Sequence, residues 1–140
     1  MGRGPESFLK AEVNKHLLTL HQTGQAIDPP QPYVFMYVPS GYGKQTIDFL
    51  IAARRWVTIE GVLQLDRHAT FLGVETKSPG KQPTARQWAC MEAIEAAGGV
   101  AFWCFDFNGY WDQMYQHGFV TRERPPEKKI APRGRAAMIL

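Results

Sequence analysis

A carboxylate and an ammonium group stand two positions apart in this sequence, at Glu75 and Lys77. Residues 71–77 are mostly apolar or β-branched and are followed by turn residues at 78–80, a pattern that predicts a short strand. Because strand side chains alternate between faces, Glu75 and Lys77 would share one face, about 7 Å apart. A surface ion pair is the commoner explanation for an isolated Glu-x-Lys, so the residues around it must decide.

Asp48 is the second candidate, because it lies within the apolar stretch 46–53, which predicts another strand. An ionised carboxylate in such a strand is costly unless it is paired or bound to something. It can also be a strand-end carboxylate that accepts backbone hydrogen bonds, and the sequence leaves both interpretations open. Adjacent strands lie about 4.8 Å apart, so Asp48 would be able to reach the same ion as Glu75.

Oxygen ligands of this kind suit a magnesium ion, which keeps several waters and is usually held by one or two carboxylates plus substrate phosphate. Asp48, Glu75 and the carbonyl of Thr76 would supply the protein ligands. Hydrolysis of a phosphodiester needs an activated water and positive charge near the attacked phosphate. Lys77 would position or deprotonate that water, or offset charge in the transition state. We therefore expect Mg²⁺ as the cofactor, with Mn²⁺ as a substitute.

Two predicted helices add further candidates. Residues 5–23 carry apolar side chains at helical spacing, with Glu6 near the middle of the apolar stripe and Glu12 at its margin. A first-turn carboxylate favoured by the helix dipole is the alternative explanation for Glu6. The second helix begins at Thr84, which fits a capping box with Gln87. Gln87 therefore has a structural explanation beside any catalytic one.

The order of elements predicts an α/β fold with a mixed sheet. The strand at 71–77, a helix at 84–97 and a buried strand at 100–105 form a strand–helix–strand unit. Such a unit implies a right-handed crossover and at least one parallel pair of strands.

Shorter elements complete the prediction. Residues 54–70 would form a hairpin turning at Glu60-Gly61, residues 33–38 a strand, and residues 109–116 a short helix capped by Asn108. The length of 140 residues favours one domain, which we place at 1–120. The charged, proline-containing segment 121–140 is expected to be a loosely ordered tail.

The formal net charge of +3 is compatible with a polyanionic partner without predicting one. Residues 39–45 form a glycine-containing loop that lacks P-loop spacing, although such loops let backbone amides approach phosphate. Phosphate contacts carry affinity rather than sequence choice. The candidates for such contacts to DNA are Ser40, Lys44, Arg54, Arg55, Lys81 and Arg86.

Zinc binding, secretion and membrane insertion are not indicated. Cys90 and Cys104 form no zinc-binding pattern and have apolar neighbours, so we expect buried thiols in a reducing compartment. No signal-like run is present, and no stretch approaches the ~20 apolar residues of a membrane span. We expect a cytoplasmic protein with no membrane partner. The four histidines lack the spacing of a metal motif, and we expect them to be structural or on the surface. They are His16, His21, His68 and His117.

Taken together, these residues resemble the VRR-NUC group of the PD-(D/E)xK nuclease superfamily. The likeness is carried by the segments 71–80 (FLGVETKSPG), 83–87 (PTARQ) and 96–100 (AAGGV), and extends over most of the chain. The family usually has Pro-Asp where this sequence has Ile47-Asp48, and the 27 positions from Asp48 to Glu75 are more than the group's usual separation.

The resemblance implies a restriction-endonuclease-like core, a mixed β-sheet flanked by helices. It implies a metal-dependent endonuclease for branched or Holliday-junction-like DNA, often a homodimer, of a kind found in phages and thus in the host cytoplasm. It places Gln87 beside Lys77 and gives Glu6 an outer role toward the metal. Two alternatives stay open: a nuclease-fold DNA-binding protein without catalysis, and a restriction-type or RNA-processing nuclease on the same scaffold.

Overall fold

The computed structural model describes residues 4–23, 37–39 and 47–125, with side chains for 4–18 and 47–125. The elements over these residues are, in order, α1 (Pro5–Thr23), β1 (Tyr37–Pro39), β2 (Phe49–Ile59), β3 (Val62–Thr76), α2 (Ala85–Ala96), β4 (Val100–Cys104) and α3 (Phe107–Gln116).

The described strands form one four-stranded sheet in the order β1-β2-β3-β4. Strand β2 runs antiparallel to both of its neighbours, β1 and β3, whereas β3 and β4 are parallel. The prediction of an α/β fold with a mixed sheet is confirmed, and so is the parallel pair joined through a helix.

Helices pack on both faces of the sheet. On one face, Val13 of α1 and Trp111 of α3 lie in a buried cluster with Leu72 and its neighbours. On the other face, Met91 and Ile94 of α2 form a second cluster with residues of β4. Because strand residues alternate between faces, both faces of β3 are buried at its carboxyl end, which explains its nearly continuous apolar sequence there.

Strands β2 and β3 form one long hairpin that turns at Glu60 and Gly61, as predicted. Both turn residues have positive φ, 52° and 80°, which is the backbone of a type I′ turn. The hairpin is longer than expected, because the predicted strands at 46–53 and 71–77 continue without a break into the predicted hairpin at 54–70. Residues 58–64 are exposed on both faces, so the apolar alternation that marks a strand is lost there.

Helix α2 has the capping box that its sequence predicts, with Thr84 at the N-cap. The predicted cap of α3 was wrong. The helix begins at Phe107, and the Asp106 carboxylate accepts a hydrogen bond from the Gly109 amide at 2.7 Å. Asn and Asp are both favourable caps, so type alone did not separate Asp106 from Asn108.

Several expectations fall on residues that are not described. Of the strand predicted at 33–38, only 37 and 38 are described, and both belong to β1. The loop residues 40–46 and the tail beyond 125 lie outside the described residues. The start of the predicted tail is attached to the core, since the Trp111 indole N–H donates to the Arg122 carbonyl at 2.7 Å.

The histidine prediction holds where the side chains are described, but the prediction of buried thiols holds for Cys104 and not for Cys90, which is partly exposed. His16 Nδ1 hydrogen bonds the Tyr110 hydroxyl at 2.7 Å, and burial lowers the pKa of His16 to about 4. The His117 ring stacks on Phe102, and Cys104 is a buried free thiol. Among the described helices, none combines the length and the apolar character needed to cross a bilayer.

Gly118→Ala should lower the free energy of unfolding by about 2–4 kcal/mol. The residue has φ +86°, where an L side chain costs roughly 1–2 kcal/mol, and a Cβ would lie 2.8 Å from the Trp56 carbonyl oxygen. Gly80→Ala is the matched control, since Gly80 has φ +87° with nothing within 4 Å of the added Cβ. Urea unfolding followed by circular dichroism measures the free energy of unfolding of both variants. Equal losses of stability in the two would contradict the close approach of residue 118 to Trp56.

Candidate functional site

The candidate site lies where β2 begins and β3 ends. Phe49 pairs with Val74 in the antiparallel register, and this pairing brings Asp48 next to Glu75. The Asp48 amide donates a hydrogen bond to Glu75 Oε1 at 3.0 Å. Two carboxylate-bearing residues that are 27 positions apart in the chain are therefore in direct contact.

The Asp48 carboxylate has three donors around it. Its Oδ2 accepts hydrogen bonds from the Thr76 amide at 3.0 Å and the Thr76 hydroxyl at 2.5 Å, and its Oδ1 lies 3.3 Å from Lys10 Nζ. The sequence left two interpretations of Asp48 open, and each holds in part. Asp48 is a strand-end carboxylate that accepts a backbone hydrogen bond, and it is also paired with a charged group and lies next to Glu75. Thr76 contacts Asp48 through its amide and hydroxyl, whereas its predicted role involved the carbonyl.

Glu75 is buried at the end of β3, with 1% of its surface exposed. Its Oε2 lies 3.6 Å from Lys77 Nζ, so the predicted Glu75–Lys77 pair is formed. The pKa of Glu75 is raised from 4.5 to about 7, first by burial and then by the charge of Asp48. The Asp48 amide and the Lys77 ammonium group oppose that rise without cancelling it.

Helix α1 contributes one predicted residue and one that was missed. The charge of Glu6 adds a small part to the raised pKa of Glu75, so Glu6 acts on the site through its electrostatic field. Lys10, which pairs with Asp48, was not predicted. Its spacing of four residues from Glu6 places both on one face of the helix and is the signal that sequence reasoning could have used.

Gln87 takes its structural role in this structure. Its side-chain oxygen accepts a hydrogen bond from the Thr84 amide at 2.8 Å, and its own amide donates to the Thr84 hydroxyl at 3.2 Å. Among the hydrogen bonds described for residues 47–125, none joins Gln87 to Lys77, beside which the resemblance placed it.

The basic candidates for DNA contacts are dispersed. Arg54 Nε donates to the Asp66 carbonyl at 2.7 Å, and Arg55 Nε donates to the Thr70 hydroxyl at 3.1 Å, so both hold the long hairpin together. Lys81 and Arg86 are exposed on the loop before α2 and in its first turn. Ser40 and Lys44 lie outside the described residues.

The donor set fits a magnesium ion held by two carboxylates. Within the described ranges no three His, Cys, Asp or Glu side chains are grouped to hold a metal, but Mg²⁺ often uses only one or two carboxylates. Among the residues whose side chains are described, Asp48 Oδ1 is paired with Lys10 and Glu75 Oε2 with Lys77, so these are the two oxygens that a cation would take over.

We compared the chain with protein-family models, with curated proteins and with solved structures, and none of them matched.

Glu75→Gln should make the metal-free protein more stable than wild type at pH 8, by on the order of 3 kcal/mol, and should change its stability little at pH 4.5. The folded protein keeps a proton on Glu75 up to about pH 7, whereas an unfolded chain releases it near 4.5. Ionisation therefore opposes folding, and wild type loses this stability as pH rises through that window.

Urea unfolding in EDTA at pH 4.5, 6 and 8 measures the difference between the two proteins. His16 titrates in the same range with the opposite sign, because its lowered pKa favours the folded state as pH rises. It is present in both proteins and cancels in the comparison. A variant that is less stable than wild type at pH 8 would contradict the raised pKa of Glu75.

Proposed function

We propose that this protein is a metal-dependent endonuclease that hydrolyses phosphodiester bonds in DNA. The observation that carries the proposal is the hydrogen bond from the Asp48 amide to the Glu75 carboxylate, with Lys77 on the same carboxylate. Two acids and a lysine at the ends of two neighbouring strands suit metal-assisted hydrolysis of a phosphate ester.

Asp48 and Glu75 would hold Mg²⁺ or Mn²⁺, and the ion would supply charge stabilisation at the attacked phosphate and a more acidic water. Lys77, whose side chain is 13% exposed, would be freed from Glu75 when a cation replaces it there. Its ammonium group is then placed to orient the attacking water or to offset charge on the phosphate.

The fold is consistent with the family resemblance. A restriction-endonuclease-like core is a mixed sheet flanked by helices, and the described strands form a mixed sheet with helices packed on both faces. The VRR-NUC-like segments lie along the end of β3, the start of α2 and the turn into β4, and the first of them contains Glu75, Thr76 and Lys77.

We further propose branched DNA as the substrate and a homodimer as the active form. A two-fold junction that is cut symmetrically needs two active sites related by a two-fold axis, and a homodimer provides them. A restriction-type or RNA-processing activity would use the same acids and lysine, and differs in which nucleic acid is cut.

A DNA-binding protein without catalysis is the second candidate, and one observation favours it. Each carboxylate is already paired with an ammonium group, Asp48 with Lys10 and Glu75 with Lys77. The two lysines therefore offset part of the negative charge of the two acids without a bound cation.

Glu75→Gln and Lys77→Met should each reduce Mg²⁺-dependent cleavage by a factor of about 10²–10⁴, with the fold retained. The measurement is gel-resolved cleavage of a four-way junction, a flap, a splayed arm, plain duplex DNA and RNA, each with Mg²⁺, Mn²⁺ or EDTA. Glu92→Gln makes the same chemical change at an exposed position of α2 and should cleave like wild type. Wild-type protein that binds the panel but cuts none of it would favour the second candidate.

Lys10→Met should strengthen Mn²⁺ binding about two- to fivefold if Asp48 is a metal ligand. The lysine competes for Asp48 Oδ1, and with 46% of its side chain exposed its pairing is worth no more than about 1 kcal/mol. Isothermal titration with Mn²⁺ measures the change, with Lys81→Met as the control on an exposed lysine. Unchanged or weaker Mn²⁺ binding in Lys10→Met would mean that Asp48 does not hold the ion.

A further inference from the structure

Three aromatic side chains lie in contact beside the candidate site, and we name Trp88, Trp103 and Phe105 the aromatic strip. The Trp88 and Trp103 rings meet edge to face, with centroids 6.4 Å apart and an interplanar angle of 75°. The Trp103 and Phe105 rings are also 6.4 Å apart, tilted by 49°. The strip therefore runs from the first half of α2 across the end of β4.

The strip adjoins Glu75 through the register of the sheet. Trp103 is the residue paired with Glu75 across the parallel β3–β4 contact, and paired residues on neighbouring strands lie about 4.8 Å apart on the same face. The next step of the same ladder joins the Lys77 amide to the Cys104 carbonyl at 2.9 Å. A group bound between Glu75 and Lys77 would thus have the strip immediately to one side.

The outer rings of the strip are not part of the core. Trp88 is 41% exposed and Phe105 is 48% exposed, whereas Met91 and Ile94, further along α2, are buried. A single exposed aromatic residue needs no explanation. Two exposed rings joined through a third form an apolar patch at the edge of a polar site, which is typical of a binding surface.

We propose that the aromatic strip stacks unpaired nucleobases of the strand whose phosphate is bound at Glu75 and Lys77, an inference that rests on the proposed function. Every base has a flat face that stacks on an aromatic ring whatever the sequence. In a duplex those faces are covered by neighbouring bases, so only a single strand, flap, loop or branch point can present them. Lys81 and Arg86, exposed near the start of α2, supply the positive charge that the flanking phosphates need.

A second copy of the chain fits this patch less well. Trp88 and Phe105, which are 41% and 48% exposed, offer roughly 200 Å² of contact between them, given the 150–250 Å² that an aromatic side chain can bury, and Trp103 is partly buried. A stable protein–protein interface needs about 800 Å² on each partner. The area matches a few nucleobases rather than a protein surface.

The test measures binding without cleavage, in EDTA, using full-length protein carrying Glu75→Gln. The probes are a fluorescent oligo-dT and an abasic oligonucleotide of equal length and charge, followed by anisotropy. Trp88→Ala and Phe105→Ala in this background should each weaken oligo-dT binding about 5- to 100-fold and leave abasic binding unchanged. Trp88→Phe keeps a ring and should recover most of the affinity, and Tyr115→Ala, an aromatic residue 40% exposed on α3, is the matched control.

Equal affinity of the parent protein for oligo-dT and the abasic strand would overturn the proposal, as would no binding to either. If Trp88→Ala lost the same affinity for both probes, the effect would be structural, and this result would overturn the proposal too. Sedimentation of Trp88→Ala that shows a dimer lost relative to the parent would assign the strip to a second copy. Failure of cleavage by wild type, with ring-dependent binding intact, would remove the nuclease proposal and leave base stacking standing.

Discussion

The site depends on one unfavourable burial, that of the Glu75 carboxylate at the end of β3. A charged group with 1% exposure costs several kcal/mol unless neighbours compensate it. Here the compensation is divided between the backbone amide of Asp48, just before β2, and the ammonium group of Lys77, just after β3. The nearby Asp48 charge increases the cost, so the environment holds the two carboxylates together against their repulsion. The sheet imposes the proximity of the two carboxylates, and helix α1 adds Lys10 and Glu6 to the site.

The register of β2 against β3 brings Asp48 and Glu75 together. A slip of one residue would move Glu75 to the opposite face and separate it from the Asp48 amide. Gly73 helps to fix the arrangement, because a Cβ at that position would lie 2.5 Å from Ile47 and 2.7 Å from Ile94. The missing side chain lets α2 and the residue before Asp48 pack tightly over β3. Close packing on one face and paired charges at the strand end thus specify the same register.

Sequence patterns predicted the parts of this arrangement that are local. The Glu75–Lys77 pair follows from strand alternation, the α2 cap from the Thr84–Gln87 spacing, and the parallel pair from a strand–helix–strand order. Lys10 was missed because its partner Asp48 is brought to it only by packing of α1 on the sheet. Arg54 and Arg55 are candidates for DNA contacts by sequence, and the hairpin uses their Nε groups internally. Those bonds depend on strand pairing across the turn, which spacing along one strand does not reveal.

A shifted pKa alone does not mark a functional residue, and the comparison of His16 with Glu75 shows why. Burial lowers the pKa of His16 to about 4, a shift as large as that of Glu75, yet its neighbours are Tyr110 and Trp111 in the apolar core. Glu75 differs because a second carboxylate, an ammonium group and an exposed aromatic strip surround it. Burial explains His16 completely, whereas for Glu75 it leaves a like-charged neighbour unexplained. The repulsion from Asp48 is partly offset by the hydrogen bonds that its carboxylate accepts from Thr76 and by Lys10, and the part that remains in the raised pKa of Glu75 is what the cation we propose between the two acids would relieve.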